Sequence, residues 1–153
     1  MEKEEIVKLQ QSFCLAFKQI IKTAKLMQKE SLPFVCQYPI MQYVNEFATV
    51  RIQAPRRIGH TESIIRVIPQ FFENPAYIFP VLEMSKRFSK RYENVYNEPP
   101  RRVASFETLY YLNGSFFDCI VVDCASVDMK TEWLSKLKIH AATNCAECRS
   151  ERS

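Results

Sequence analysis

Glycine is almost missing. Two stand in a chain of 153 residues, Gly59 and Gly114, where average usage of roughly 7% would supply about ten. That scarcity excludes collagenous, glycine-linker and low-complexity readings, and it makes the place of each remaining glycine informative. Long apolar runs are missing too. None approaches the roughly 18–20 residues that span a bilayer. No basic, then apolar, leader is expected either, since the stretch Met1, Glu2, Lys3, Glu4 and Glu5 is acidic where a secretory signal would be basic. The expectation is a soluble protein inside the cell.

What is present fits one domain with its own core: 47% of residues are hydrophobic and 25% charged. The six cysteines, Cys14, Cys36, Cys119, Cys124, Cys145 and Cys148, are scattered through apolar segments. A chain of this length needs no covalent staples, so free thiols are expected. Cys145 and Cys148 form a lone C-x-x-C, with His140 five positions before. Zinc wants four ligands, usually from two such pairs, so no zinc site is expected.

The hydrophobic rhythm divides the chain. Ile6, Leu9, Phe13, Phe17, Ile20, Ile21, Ala24 and Met27 recur at steps of three or four, which predicts a long helix over residues 4–29. Pro33 ends that pattern, and a short helix is expected at about 39–46. Strands are then expected at 49–54, 76–80, 103–106, 119–122 and 138–142. Helices are expected at 62–72, 85–94 and 129–137, with a helical turn at 107–112. Alternating strands and helices predict an α/β fold with a parallel sheet of about five strands in three layers. The run Cys119-Ile120-Val121-Val122 has the continuous apolar character of a strand buried on both faces. The division expected is an N-terminal helix packed on the core (1–32), an α/β domain (33–144) and a polar tail (145–153).

A parallel α/β sheet binds ligands at the carboxyl ends of its strands, which directs attention to the first strand–loop–helix unit. It reads Ala54-Pro55-Arg56-Arg57-Ile58-Gly59-His60-Thr61. Laid on the phosphate-loop pattern G-x-x-x-x-G-K-[ST], it matches at Gly59 and Thr61 and departs at Ala54 and His60. Backbone N–H groups in such a loop cradle phosphates at a helix N-terminus, and the hydroxyl at Thr61 would meet Mg²⁺. The apolar strand ending at Asp123 presents a second Mg²⁺ ligand at its carboxyl end, or simply a residue that caps the next turn.

These residues resemble the ATPase domain of large terminase subunits, the DNA-packaging motors of tailed phages and herpesviruses. The family's loop runs P-R-R-x-G-K-T, to which Pro55-Arg56-Arg57 with Gly59 and Thr61 is similar. Gln37, nineteen positions before Arg56, falls at the offset of the adenine-reading glutamine. The segment 116–126 looks like F-x-x-x-x-V-D-E-A, and His140-Ala141-Ala142-Thr143-Asn144 is similar to the S-S-T-N coupling motif, with Thr143 at its third position. The resemblance covers residues 33–144. It implies a P-loop NTPase fold, ATP with Mg²⁺ as ligand, and Gln37, Arg56, Arg57, Gly59, His60 and Thr61 as the nucleotide-binding set.

Two departures bear on chemistry. The lysine that would neutralise phosphate charge is His60, and an imidazole is mostly neutral at pH 7 and shorter in reach. The glutamate that would orient water is Cys124. Losing both removes most of the electrostatic and positioning help that phosphoryl transfer depends on. The expectation is therefore a degenerate, catalytically inactive viral protein of the host cytoplasm or nucleus. It would bind nucleotide, DNA or a packaging or replication partner. An active ATPase using Arg56 or Arg57 in place of lysine, and a purely structural interaction domain, are the alternatives.

Charge points to DNA as one partner. Lys86, Arg87, Lys90, Arg91, Arg101 and Arg102, offset by Glu93 and Glu98, carry +4 over residues 86–102, which equals the formal excess of the whole chain. A basic helix face with Tyr92 and Tyr96 close by can track a phosphate backbone, or it can be an ordinary solvated face. If it tracks DNA, affinity falls steeply with salt. Lys90→Glu with Arg91→Glu then flattens that dependence in a fluorescence anisotropy titration, and an unchanged slope assigns the face to solvent.

Overall fold

The computed structural model describes residues 2–31, 50, 52, 57–112 and 117–122. In chain order the elements are α1 (Lys3–Ser31), α2 (His60–Phe71), β1 (Pro75–Phe79), α3 (Leu82–Tyr96), β2 (Val103–Ser105), a 3-10 helix (Phe106–Leu112) kinked at Thr108, and β3 (Cys119–Val122). The expected helices at 39–46 and 129–137, the strand at 138–142 and the tail lie outside the described residues.

The sheet has three strands among the described residues, in the order β2-β1-β3, all parallel. Tyr77 pairs with Val103 on one side and Val121 on the other. This is a mixed α/β fold with a small parallel sheet, not the five-strand arrangement expected. Of the strand expected at 49–54, only Val50 and Ile52 are described. Neither lies in a strand, and both are exposed. The reading of 119–122 as buried on both faces also needs correction. All four residues of β3 are half-buried, and among the described residues β3 is paired on one edge only. The strand buried on both faces is β1, where Ala76, Tyr77, Ile78 and Phe79 are at most 2% exposed.

Alternation along β1 sorts the core into two layers. Tyr77 and Phe79 face the helices and join Phe88 of α3, Ile64, Ile65, Val67 and Ile68 of α2, and Phe17 of α1. Ala76 and Ile78 face the other way, with Ala104, Leu112 and Phe117 and, beside them, Phe106 and Leu109 of the 3-10 helix. Helices, sheet and 3-10 helix thus make three layers. The aromatic rings interlock: Tyr77 and Phe79 lie 4.7 and 4.9 Å from Phe88.

Helix α1 forms where the periodicity predicts, with Glu4 and Glu5 in its first turn and Lys29 in its last, each favourable to the helix dipole. It uses less of its apolar stripe than expected. Phe17 is buried, with Phe13, Cys14 and Ile21 packed beside it, whereas Leu9, Ile20 and Met27 are 48%, 42% and 60% exposed. Length explains this. At 1.5 Å per residue α1 extends about 43 Å, and α2, its main support, has 12 residues.

Two polar requirements of the backbone are met across elements. Pro69 stands inside α2 and has no N–H to give the carbonyl four residues back, that of Ile65. The Tyr96 hydroxyl at the end of α3 donates to that carbonyl at 2.7 Å. Asp118 accepts from the Glu73 and Asn74 N–H groups at 2.9 and 3.1 Å, while its own N–H donates to the Asn74 carbonyl at 3.2 Å. It fixes the entry to β3 against the entry to β1.

The Tyr96 bond gives a specific test. Tyr96→Phe leaves the Ile65 carbonyl buried and unpaired, at a cost of about 1–2 kcal/mol. In a Pro69→Ala background the helix supplies its own N–H, and the same change costs less than about 0.5 kcal/mol. Urea unfolding of the four proteins in this cycle measures the difference.

Candidate functional site

The turn before α2 takes its shape from two left-handed residues, Arg57 at φ 63° and Gly59 at φ 91°. The Gly59 carbonyl accepts the first helical bond, from the Ser63 N–H at 2.9 Å. Glycine is required there by its backbone conformation and not by space. A Cβ on Gly59 would meet the Gln10 Cβ and Cγ at 3.6 Å, an ordinary contact. Arg57 lacks that freedom, and its carbonyl is held by the Gln10 side-chain amide at 3.0 Å.

Helix α1 therefore packs directly on this turn. Besides Gln10, Phe13 brings its ring to 5.1 Å from the His60 imidazole, tilted by 58°. The His60 Nε2 is buried without a hydrogen-bond partner among the described residues. Thr61 lies half-buried in the first turn of α2, and the Arg57 residue is exposed. The structure thus groups Arg57, Gly59, His60 and Thr61 at one helix start, as their adjacency requires. Gln37, Arg56, Asp123 and Thr143 lie outside the described residues, as do Gly114, Cys124, His140, Cys145 and Cys148.

The six basic residues do not form one patch. Lys86, Arg87, Lys90 and Arg91 are exposed on α3, but two of them are engaged. Arg87 pairs with Glu83 at 3.6 Å, and Arg91 crosses to Glu62 of α2 at 3.0 Å, where Arg66 also pairs at 3.4 Å. Exposed pairs of this kind contribute about 0–1 kcal/mol each, yet they halve the cation density the sequence offers. Arg101 and Arg102 belong to the approach to β2, at the other end of α3. The expected aromatic platform is also committed elsewhere. Tyr92 stands 6.1 Å from both Tyr77 and Phe88 and 4.7 Å from Tyr96, whose hydroxyl bonds to α2.

No thiol chemistry is built in at the described cysteines. Burial pushes the Cys119 thiol up to about 12, with the Asp118 carboxylate adding to the shift and Lys25 opposing it, so it stays protonated at neutral pH. Cys14 is half-buried and free. Among the described residues there is no group of three or more His, Cys, Asp or Glu side chains able to hold a metal. No described helix is long and apolar enough to cross a membrane.

Sequence reasoning missed Gln10, Phe13 and Asp118. The first two lie on α1, more than forty residues from the turn they cover, and nothing in their spacing names their partner. Asp118 lies five positions before Asp123, the aspartate that the strand pattern selects, and works at the opposite end of the strand.

The turn and its cover respond differently to mutation. Gly59→Val forces a β-branched residue into the left-handed region at a cost of about 1–3 kcal/mol. His60→Ala gives up the Phe13 contact but also removes a buried unpaired nitrogen, so it costs less. Thermal unfolding compares the two, and equal tolerance would remove the special role of Gly59.

No family model matches the chain, and no curated protein or solved structure matches it at significance.

Proposed function

We propose that this chain is a binding domain of terminase-ATPase-like design that performs no phosphoryl transfer, encoded by a virus and acting on a packaging or replication partner within the host cell. One observation carries the reading. The turn at Gly59 keeps the left-handed backbone and helix start of a phosphate loop, while Gln10 and Phe13 of α1 pack onto it. Support against Mg²⁺-ATP comes from the lysine position of the pattern, which holds His60, with its ring packed 5.1 Å from that of Phe13.

The small parallel sheet is compatible with an α/β design. β1, the strand that follows α2, pairs with β3, the strand that leads to Asp123. The outer edge of β3 has no partner strand among the described residues, so a P-loop-bearing strand would have a place there. In this reading α1 has taken over the space where a nucleotide would lie, and the turn positions α2 instead of a phosphate.

Two alternatives remain distinguishable. Retained nucleotide binding through Gly59 and Thr61 is one, and an ATPase using Arg56 or Arg57 is the other. The exposed Arg57 favours the second over a fully closed turn.

The expected result of a calorimetric titration with Mg²⁺-ATP is no saturable binding up to about 5 mM, a limit near −3 kcal/mol. Phosphate release is likewise expected at background. Saturable binding that Gly59→Val abolishes would establish the nucleotide reading. Phosphate release that Arg57→Ala abolishes would establish the ATPase and overturn the proposal. His60→Lys combined with Cys124→Glu is expected to leave turnover at background, because Phe13 and Gln10 still cover the turn.

A further inference from the structure

A concavity lies at the amino ends of β1 and β2, the opposite end of the sheet from the carboxyl ends, where α/β domains hold nucleotides. Its volume is about 200 Å³, and its walls include Asn74, Tyr77, Tyr92, Glu98, Arg101 and Arg102, with Glu73 at the rim. Two of the three buried side-chain atoms without a hydrogen-bond partner among the described residues belong to this wall: the Tyr77 hydroxyl and the Arg102 Nε. Tyr77 is only 2% exposed. Both are donors, and a buried donor left unpaired costs about 1–3 kcal/mol, more where it is charged. Two such costs converging on one cavity need a compensating acceptor.

The surroundings narrow what that acceptor is. Arg102 is already turned toward the cavity by an Nη1 bond to the Asn74 Oδ1 at 3.4 Å. Asn74 is itself fixed by its N–H bond to Asp118. Arg101 adds a second guanidinium, which matches the two oxygens of a planar anion or two oxygens of a tetrahedral one. Burial, then the neighbouring Tyr92, push the Tyr77 phenol far up from its ordinary value, so it is a donor at any physiological pH. Glu73 and Glu98 hold the net charge of the walls near zero, which disfavours a di- or triphosphate and favours a head group of low charge.

We propose that this cavity is a binding site for a small oxyanion, a carboxylate or a phosphate monoester head, held by Arg102, Arg101 and the Tyr77 hydroxyl. The site is independent of the Gly59 turn and does not rest on the function proposed above.

The test uses the full chain, with acetate and inorganic phosphate as probes against sodium chloride at matched ionic strength. Thermal unfolding is expected to rise saturably with at least one of the two. Acetate acting alone identifies a carboxylate site, and phosphate alone a phosphate site. Arg102→Gln is expected to weaken the effect at least about tenfold. Tyr77→Phe separates a ligand role from a structural one. It removes a hydroxyl with no protein partner, so the unliganded protein keeps or raises its melting temperature while the anion effect falls several-fold. Arg87→Gln, on the exposed face of α3, leaves the effect unchanged. If neither anion acts beyond chloride, or if the rise survives Arg102→Gln, the cavity holds water only and the proposal fails.

Discussion

β1 is paired in parallel on both edges and covered on both faces, and this double constraint organises everything around it. Parallel neighbours cannot be joined by tight hairpins, so each must be reached by a crossover. The chain leaves β1 through α3 to reach β2, then returns through the 3-10 helix to β3 on the far side. Each crossover must also cover a face. Tyr77 and Phe79 require an aromatic-rich partner, which α3 supplies in Phe88 and Tyr92, while the small face of Ala76 and Ile78 accepts the shallower 3-10 helix. Helix α2 feeds β1 through the residues between Phe71 and Pro75, and Asp118 clamps that junction. Helix α1 has no place in this logic except on the outer surface of α2.

Elements governed by local pattern were legible in the sequence, and relationships governed by distant contacts were not. The alternation of strands and helices from 60 to 122, the parallel sheet and the long first helix follow from periodicity, which depends on each segment's own residues. The rank of the strands did not follow. Cys-Ile-Val-Val looked more deeply buried than Pro-Ala-Tyr-Ile-Phe, because hydropathy penalises the tyrosine hydroxyl and proline and has no information about which strand gains two neighbours. The width of the stripe on α1 misled for a related reason. Leu9, Ile20 and Met27 satisfy the helical period, but a helix of 29 residues outruns a support of 12. At the candidate site, Gly59 was legible because scarcity made it conspicuous and its conformation demands it. Gln10 and Phe13 were not, since covering a turn leaves no mark on the covering residues.

Basic residues show how linear charge density differs from a charged surface. Six cations within seventeen residues look like one patch, but helix geometry and ion pairs divide them. Arg91 reaches sideways to α2, Arg87 turns back along its own helix, and Arg101 with Arg102 lies beyond the helix end. Lys86 and Lys90 stay on the outer face. The arginines near β2 gain importance from the same division. A guanidinium half-buried beside an inward-facing phenol is an interaction site of a different kind from a solvated lysine, because desolvation strengthens every contact it makes with an oxyanion.

The glycine scarcity acquires a physical meaning at Gly59. A phosphate loop places two demands on its glycine: a left-handed backbone, and room for an anion against the bare Cα. At Gly59 the backbone is left-handed at φ 91°, and a Cβ would find Gln10 at ordinary contact distance. The helix start itself is completed by the Ser63 N–H, which donates to the Gly59 carbonyl at 2.9 Å. Backbone conformation at the entry to α2 sets the direction in which Ile64, Ile65, Val67 and Ile68 are delivered to the core. Selection on packing alone is enough to hold Gly59 in place.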